Sequence, residues 1–227
     1  AAPGAPMTWP RAAPGHKAPQ PAPLRMDAAA LPDGMTLFGW EPREHLSADE
    51  NGMDLVILLA RNSTCGGGSM GAAIVNPEGL VLSCHVNGPL YSAFDAAKPT
   101  SDIHAEVNAI GACAQRGLAT RGATAYITMP PCKKCFTVLA AAGVRRVVSR
   151  RKFTPQDGRD IWPAAERTGI ELITVPDDDD RVSFREGLVP SKRPRTGNED
   201  TELVVCHQFA KGACVQAFSG GHVQEGR

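Results

Sequence analysis

The chain has 227 residues, enough for one sizeable domain with tails and too few for two full-sized ones. Its 24 Lys+Arg balance 24 Asp+Glu, which excludes a nucleic-acid or membrane surface built on global charge. Hydrophobic residues make up 42% and aromatic ones 5%, so the core is expected from Ala, Val, Leu and Ile, and no apolar run reaches the length of a membrane span.

Residues 1–48 are dense in Ala, Pro and Gly, show no helical or strand period, and are expected to be disordered. Arg11, Lys17 and Arg25 precede the first acid, Asp27, as in a trimmed organelle transit peptide, but neither an amphipathic helix nor a serine-rich composition accompanies them. From Asp49 the composition changes, and residues 49–176 read as a folded domain. Met53, Leu55, Val56, Leu58 and Leu59 predict an apolar helix, followed by a loop through Ser63-Thr64-Cys65 and Gly66–Gly68. Gly71–Asn76 and Leu80–Val86 read as hairpin strands around the turn Pro77-Glu78-Gly79, and Asn87-Gly88-Pro89 ends the second. Asp102 is expected to cap a helix from Ile103, with Ile103, Val107, Ile110 and Ala114 on one face and Gly117 as its stop. Ala123–Thr128 is a strand, Met129-Pro130-Pro131 breaks it, and Cys132 and Cys135 open a second helix that ends at Gly143. Val144–Ser149 is a strand, Asp160 caps a helix with Pro163 in its first turn, and Gly169–Val175 is the last strand. This order predicts an α/β layered fold, a mixed five-stranded sheet flanked by helices. Residues 177–203 read as a charged linker: an acidic run at Asp177–Asp180, then a small basic cluster at Pro190–Arg195 that resembles a nuclear import signal.

Cysteine usage points to a reducing compartment: seven cysteines, an odd number, and no secretory signal. Cys65, Cys84 and Cys113 sit among small or apolar residues and read as buried hydrophobes. Cys132 and Cys135 are different. With His104 they supply one imidazole and two thiolates, three corners of a tetrahedral Zn2+ site with a fourth left open, and Glu106 lies two residues after the histidine. Cys-x-x-Cys alone would equally be a structural zinc knuckle or a redox pair, and His-Ala-Glu alone an ordinary helix start. Each opens a helix after a strand, where unpaired N–H groups favour thiolate. His85 competes with His104 as a ligand but lies inside a strand with no carboxylate beside it. The expected chemistry is attack by zinc-bound hydroxide on the carbon bearing the exocyclic amine of a cytosine or adenine ring. Glu106 would take the water proton, pass it to the ring nitrogen and later protonate the leaving ammonia.

From about Asp54 to Val175 the chain resembles the cytidine and deoxycytidylate deaminase superfamily, most closely its deoxycytidylate branch. Ser63-Thr64-Cys65, Gly71–Val75, Val86-Asn87-Gly88, the stretch His104–Ile110 and Pro131–Cys135 carry the resemblance, and Asn108 favours the branch. The resemblance implies His104, Cys132 and Cys135 as zinc ligands and Glu106 as the catalytic proton shuttle. It also implies Asn87 and the Ala105 backbone as substrate contacts at the sugar and the base, and a homo-oligomer. The implied reaction is hydrolytic deamination of a cytosine nucleotide, dCMP to dUMP. Two alternatives are deamination of a base in RNA or tRNA, and a catalytically silent nucleotide- or RNA-binding protein on the same scaffold. The chain departs from that branch at Gly66–Gly68, where basic residues are common, and in a short stretch between Asn87 and His104 without further Cys or His. Both departures bear on phosphate recognition and allosteric control rather than on the zinc chemistry.

Residues 204–227 carry a second resemblance. Cys206–Cys214 is similar to the opening half of a CCCH zinc finger, a module that binds single-stranded RNA, but the third cysteine is missing before His222. Either the finger is degenerate, or Cys206, Cys214 and His222 hold a second zinc with His207 or a partner's ligand. A complete finger would offer Phe209 and Phe218 for stacking on RNA. The expected location is intracellular, cytoplasmic or nuclear, with an organelle as the alternative.

Overall fold

A computed structural model describes residues 21–65, 68–90, 102–154 and 160–189. The predicted second zinc site at Cys206, Cys214 and His222 lies outside them, as do residues 1–20 and the basic cluster at 190–195. In chain order the elements are β1 (Arg25–Met26), α1 (Ala48–Leu59), β2 (Gly71–Val75), β3 (Leu80–Val86), β4 (Gly88–Pro89) and β5 (Asp102–Ile103), then α2 (Ala105–Gln115), β6 (Thr124–Ile127), α3 (Lys133–Ala141), β7 (Arg146–Ser149), α4 (Trp162–Thr168), β8 (Glu171–Thr174) and α5 (Asp179–Leu188). None of these helices is long and apolar enough to cross a membrane.

The main sheet runs β1-β3-β2-β6-β7-β8. β2 pairs antiparallel with both β3 and β6, whereas β6, β7 and β8 are parallel, as expected where α3 and α4 connect successive strands. Side chains alternate between the two faces. Ala72, Ile74, Ala125, Ile127 and Val147 face a core filled from α2, α3 and α4. Ala73, Val75, Tyr126 and Val148 face the opposite core, filled by α1 and edged by Phe184 and Leu188 of α5. The strands are buried on both faces, which is why they read as continuous apolar runs.

Three expectations need correction. Residues 21–48 are ordered rather than disordered: Arg25 and Met26 pair in parallel with Leu80 and Val81, adding a sixth strand, and Leu24, Ala30 and Trp40 are buried. These apolar residues lack a period because they plug one core from an irregular segment. Residues 179–188 of the predicted linker form α5, capped by the Asp178 side chain on the Arg181 N–H, with Arg181 and Arg185 buried. Finally, α2 begins at Ala105 with His104 at its N-cap, not at Ile103. Asp102 and Ile103 are held extended by pairing with Pro89 and Gly88, so the helix starts after them.

The N-terminus of α1 carries a reciprocal cap: Ser47 Oγ accepts the Glu50 N–H while Glu50 accepts the Ser47 N–H. The helix lies close against β6. Tyr126 donates to Asp49 at 2.9 Å, and Arg146 grips the same carboxylate with both terminal nitrogens, at 3.1 and 2.8 Å. A Cβ on Gly52 would lie 2.5 Å from the Tyr126 ring. Gly52→Ala is therefore expected to push Tyr126 off Asp49 and cost about 1–3 kcal/mol, read as a lower midpoint in denaturant unfolding. An unchanged midpoint would show that the ring has room to yield.

Candidate metal centre and substrate cavity

β3 and β6 end, and β2 begins, at the same edge of the sheet, since Gly71 is paired with Val86 and Ala72 with Ile127. The starts of α2 and α3 meet there. His104 is the N-cap of α2 and Cys132 that of α3, and Cys132 Sγ accepts the Cys135 N–H at 3.5 Å. The ligand atoms of His104, Cys132 and Cys135 lie within 4.8 Å of one another. His104 Nδ1 is 3.3 Å from Cys135 Sγ and 3.8 Å from Cys132 Sγ. Tetrahedral zinc, with Zn–S about 2.3 Å and Zn–N about 2.0 Å, would separate such atoms by about 3.5 Å, between these two distances. His104 makes no side-chain capping bond, so its ring is free for this use. His85, the alternative histidine, is in β3 opposite Ala72 and is not part of this group among the described residues.

Electrostatics argue the same way. Burial, then the Glu106 charge, pushes the Cys135 thiol above its ordinary range. A divalent cation would supply the missing compensation, and the donor set fits zinc. Glu106, 8% exposed and outside the ligand group, has its carboxyl raised by burial, opposed by its own backbone N–H, His104 and Cys135.

Beside this group is a cavity of about 240 Å³ whose walls include Asn87, His104, Ala105, Glu106, Thr128 and Cys132. The structure thus brings together His104, Cys132, Cys135, Glu106, Asn87 and Ala105. Asn108, read only as a marker of family branch, donates to the Val86 carbonyl at 2.9 Å and ties α2 to the end of β3, next to Asn87. Thr128 and Met70 were not anticipated. Thr128 Oγ1 accepts the Gly71 N–H at 3.2 Å and lines the cavity, a position that only the strand register reveals. Of the cysteines read as packing residues, Cys84 and Cys113 are buried, and burial pushes the Cys84 thiol up to about 12; Cys65 is half-buried.

The chain is similar to several known proteins. ComE operon protein 2 of Bacillus subtilis (strain 168) is 28% identical over 184 residues, covering 74% of this chain and 95% of that protein. Deoxycytidylate deaminase of Enterobacteria phage T4 is 34% identical over 86 residues, 37% of this chain and 44% of the phage enzyme. Among solved structures, the dCMP deaminase of cyanophage S-TIM5 in apo form overlays with a TM-score of 0.47 at 28% identity, covering 56% of this chain and 96% of that one. Residues 46–150 match the family described as the cytidine and deoxycytidylate deaminase zinc-binding region. Residues 46–150, whose histidine and cysteines gather at two facing helix starts, thus carry the match to the zinc-binding region of the cytidine and deoxycytidylate deaminases.

Proposed function

We propose that the chain catalyses hydrolytic deamination of a cytosine nucleotide, with dCMP to dUMP as its main reaction. One observation carries this reading: a buried carboxylate, Glu106, stands beside a His/Cys/Cys ligand group without belonging to it, and both open on one cavity. A structural zinc knuckle has no use for that carboxylate. The relatives named deoxycytidylate deaminase support the choice of substrate.

In this reading His104, Cys132 and Cys135 hold zinc. Bound there, zinc supplies Lewis acidity that brings the ionisation of water close to neutral pH. Glu106 takes one proton from the water that attacks C4 of the cytosine ring and passes it to N3. The same carboxyl then moves a proton to the C4 amine, which leaves as ammonia as the C4 carbonyl forms. Water and cytosine become uracil and ammonia, and Glu106 ends as it began. The Ala105 backbone and Asn87 hold the base and the sugar, and Asn108 keeps the two elements that carry these groups in register.

The test is ammonia release from dCMP, CMP, deoxycytidine, cytidine and short RNAs, with the full chain and with a chain ending at Val189. The expected outcome is the highest kcat/KM on dCMP, unaffected by removing residues 190–227. Turnover confined to RNA and lost with those residues would replace this reading by deamination of an RNA base.

A further inference from the structure

Asn87 is one of the most heavily bonded side chains at the cavity, and its bonds settle which way its amide points. Oδ1 takes the Met70 N–H at 2.9 Å, and Nδ2 gives a hydrogen to the Gly68 carbonyl at 2.8 Å. A backbone N–H can only donate and a backbone carbonyl only accept, so these partners fix oxygen and nitrogen without ambiguity. Ser63 Oγ lies 2.7 Å from Oδ1 and 3.2 Å from the Asn87 carbonyl oxygen. Both are acceptors, so the hydroxyl hydrogen must point toward Asn87. The hydroxyl is itself oriented by accepting the Cys65 N–H at 3.3 Å.

This bonding has a chemical consequence. Two donors converge on Oδ1, which leaves that oxygen engaged with the 63–70 loop. Nδ2 has two hydrogens and spends one on Gly68, and no further partner for the second is found among the described residues. Asn87 is 7% exposed and lines the cavity with His104 and Glu106, so the polar group it keeps for a ligand is an N–H donor.

We propose that Ser63 is a positioning residue: its hydroxyl locks the Asn87 amide so that the amide offers the cavity a hydrogen-bond donor for an oxygen of the substrate. Without that hydroxyl, only the Met70 N–H and the Gly68 carbonyl hold the amide, which keeps its polarity but swings more freely and aims its donor less well. The consequence deepens the deaminase reading above and rests on it for the identity of the substrate. It also accounts for a serine two residues before Cys65, which touches neither the ligand group nor Glu106.

The experiment is a double-mutant cycle on the full, zinc-loaded chain, with Glu106→Gln added so that dCMP binds without turnover and its Kd is read by calorimetry. Ser63→Ala is expected to weaken binding about fivefold, as for loss of one hydrogen bond. Ser63→Thr, which keeps the hydroxyl, should restore it. On top of Asn87→Ala, Ser63→Ala should add no further loss. With Glu106 intact, the Ser63→Ala effect should fall on KM with kcat nearly unchanged. A merely structural serine would lower the unfolding midpoint without this split, and its penalty would persist in the Asn87→Ala background; either result overturns the proposal. If the wild-type chain neither deaminates nor binds any cytosine compound, the functional reading fails and a second measurement decides the positioning role. Exchange of the Asn87 side-chain amide protons, assigned by their loss in Asn87→Ala, should quicken at least about tenfold in Ser63→Ala. Unchanged exchange overturns the proposal.

Discussion

Glu106→Gln is expected to lower deamination by roughly 10²–10⁴-fold while the zinc content per chain stays that of the parent protein. Glutamine matches glutamate in size and still forms hydrogen bonds, but it carries no titratable proton. Glu106 is outside the ligand group, so the substitution removes no metal ligand. Burial raises its carboxyl from the ordinary value, the direction that suits a group that must give a proton back as well as take one. The check pairs metal analysis with ammonia release from dCMP. Activity near that of the parent with zinc retained would remove Glu106 from the mechanism. Loss of activity together with loss of zinc would instead make the carboxylate a support of the metal group.

Much of that site was legible in the chain, and the reason is geometric. Two cysteines three residues apart at a helix start, with a histidine at another, can be used together in few ways, and the strands between them alternate plainly. Ala72 and Ile74 against Ala73 and Val75 already describe two cores. What could not be read was bonding that depends on register. Asn87 looks like one half of an Asn-Gly turn until β2 and β3 pair and bring Met70 and Gly68 to its amide. Two whole elements were also missed, each for a physical reason. Leu24, Ala30 and Trp40 pack from a segment whose spacing follows no period. In α5 the inward stripe is Arg181, Phe184, Arg185 and Leu188, a helical i, i+3, i+4, i+7 spacing in which guanidiniums take two of the apolar places. A search for apolar periodicity passes over such a helix, because its buried positions are charged.

That stripe makes Asp54 a sensitive point of the scaffold outside the site. Asp54 sits in α1 with a side chain fully removed from solvent. Its Oδ1 accepts from Arg181 Nε at 3.1 Å, from Arg181 Nη2 at 2.8 Å and from Arg185 Nη1, while Oδ2 accepts from Arg43 Nη2 at 3.1 Å. Arg43 lies over the Phe184 ring at 4.2 Å, and Arg185 also reaches Asp177 at 2.7 Å. A single carboxylate thus holds three guanidiniums together and fastens both α5 and the segment before α1. Asp54→Asn nearly preserves shape but deletes the charge, leaving three cations converging on a neutral amide. Breaking a buried pair from one side costs about 3–5 kcal/mol, because the partner charges stay desolvated. The prediction is a loss of that size in denaturant unfolding, with the amides of 179–188 losing hydrogen-exchange protection first. Asp177→Asn is the control: that side chain is 22% exposed, as is natural for a pair at the rim, and about 1 kcal/mol or less should be lost. Equal losses from the two variants would mean that the arginines are fastened from the rim and that Asp54 is not their anchor.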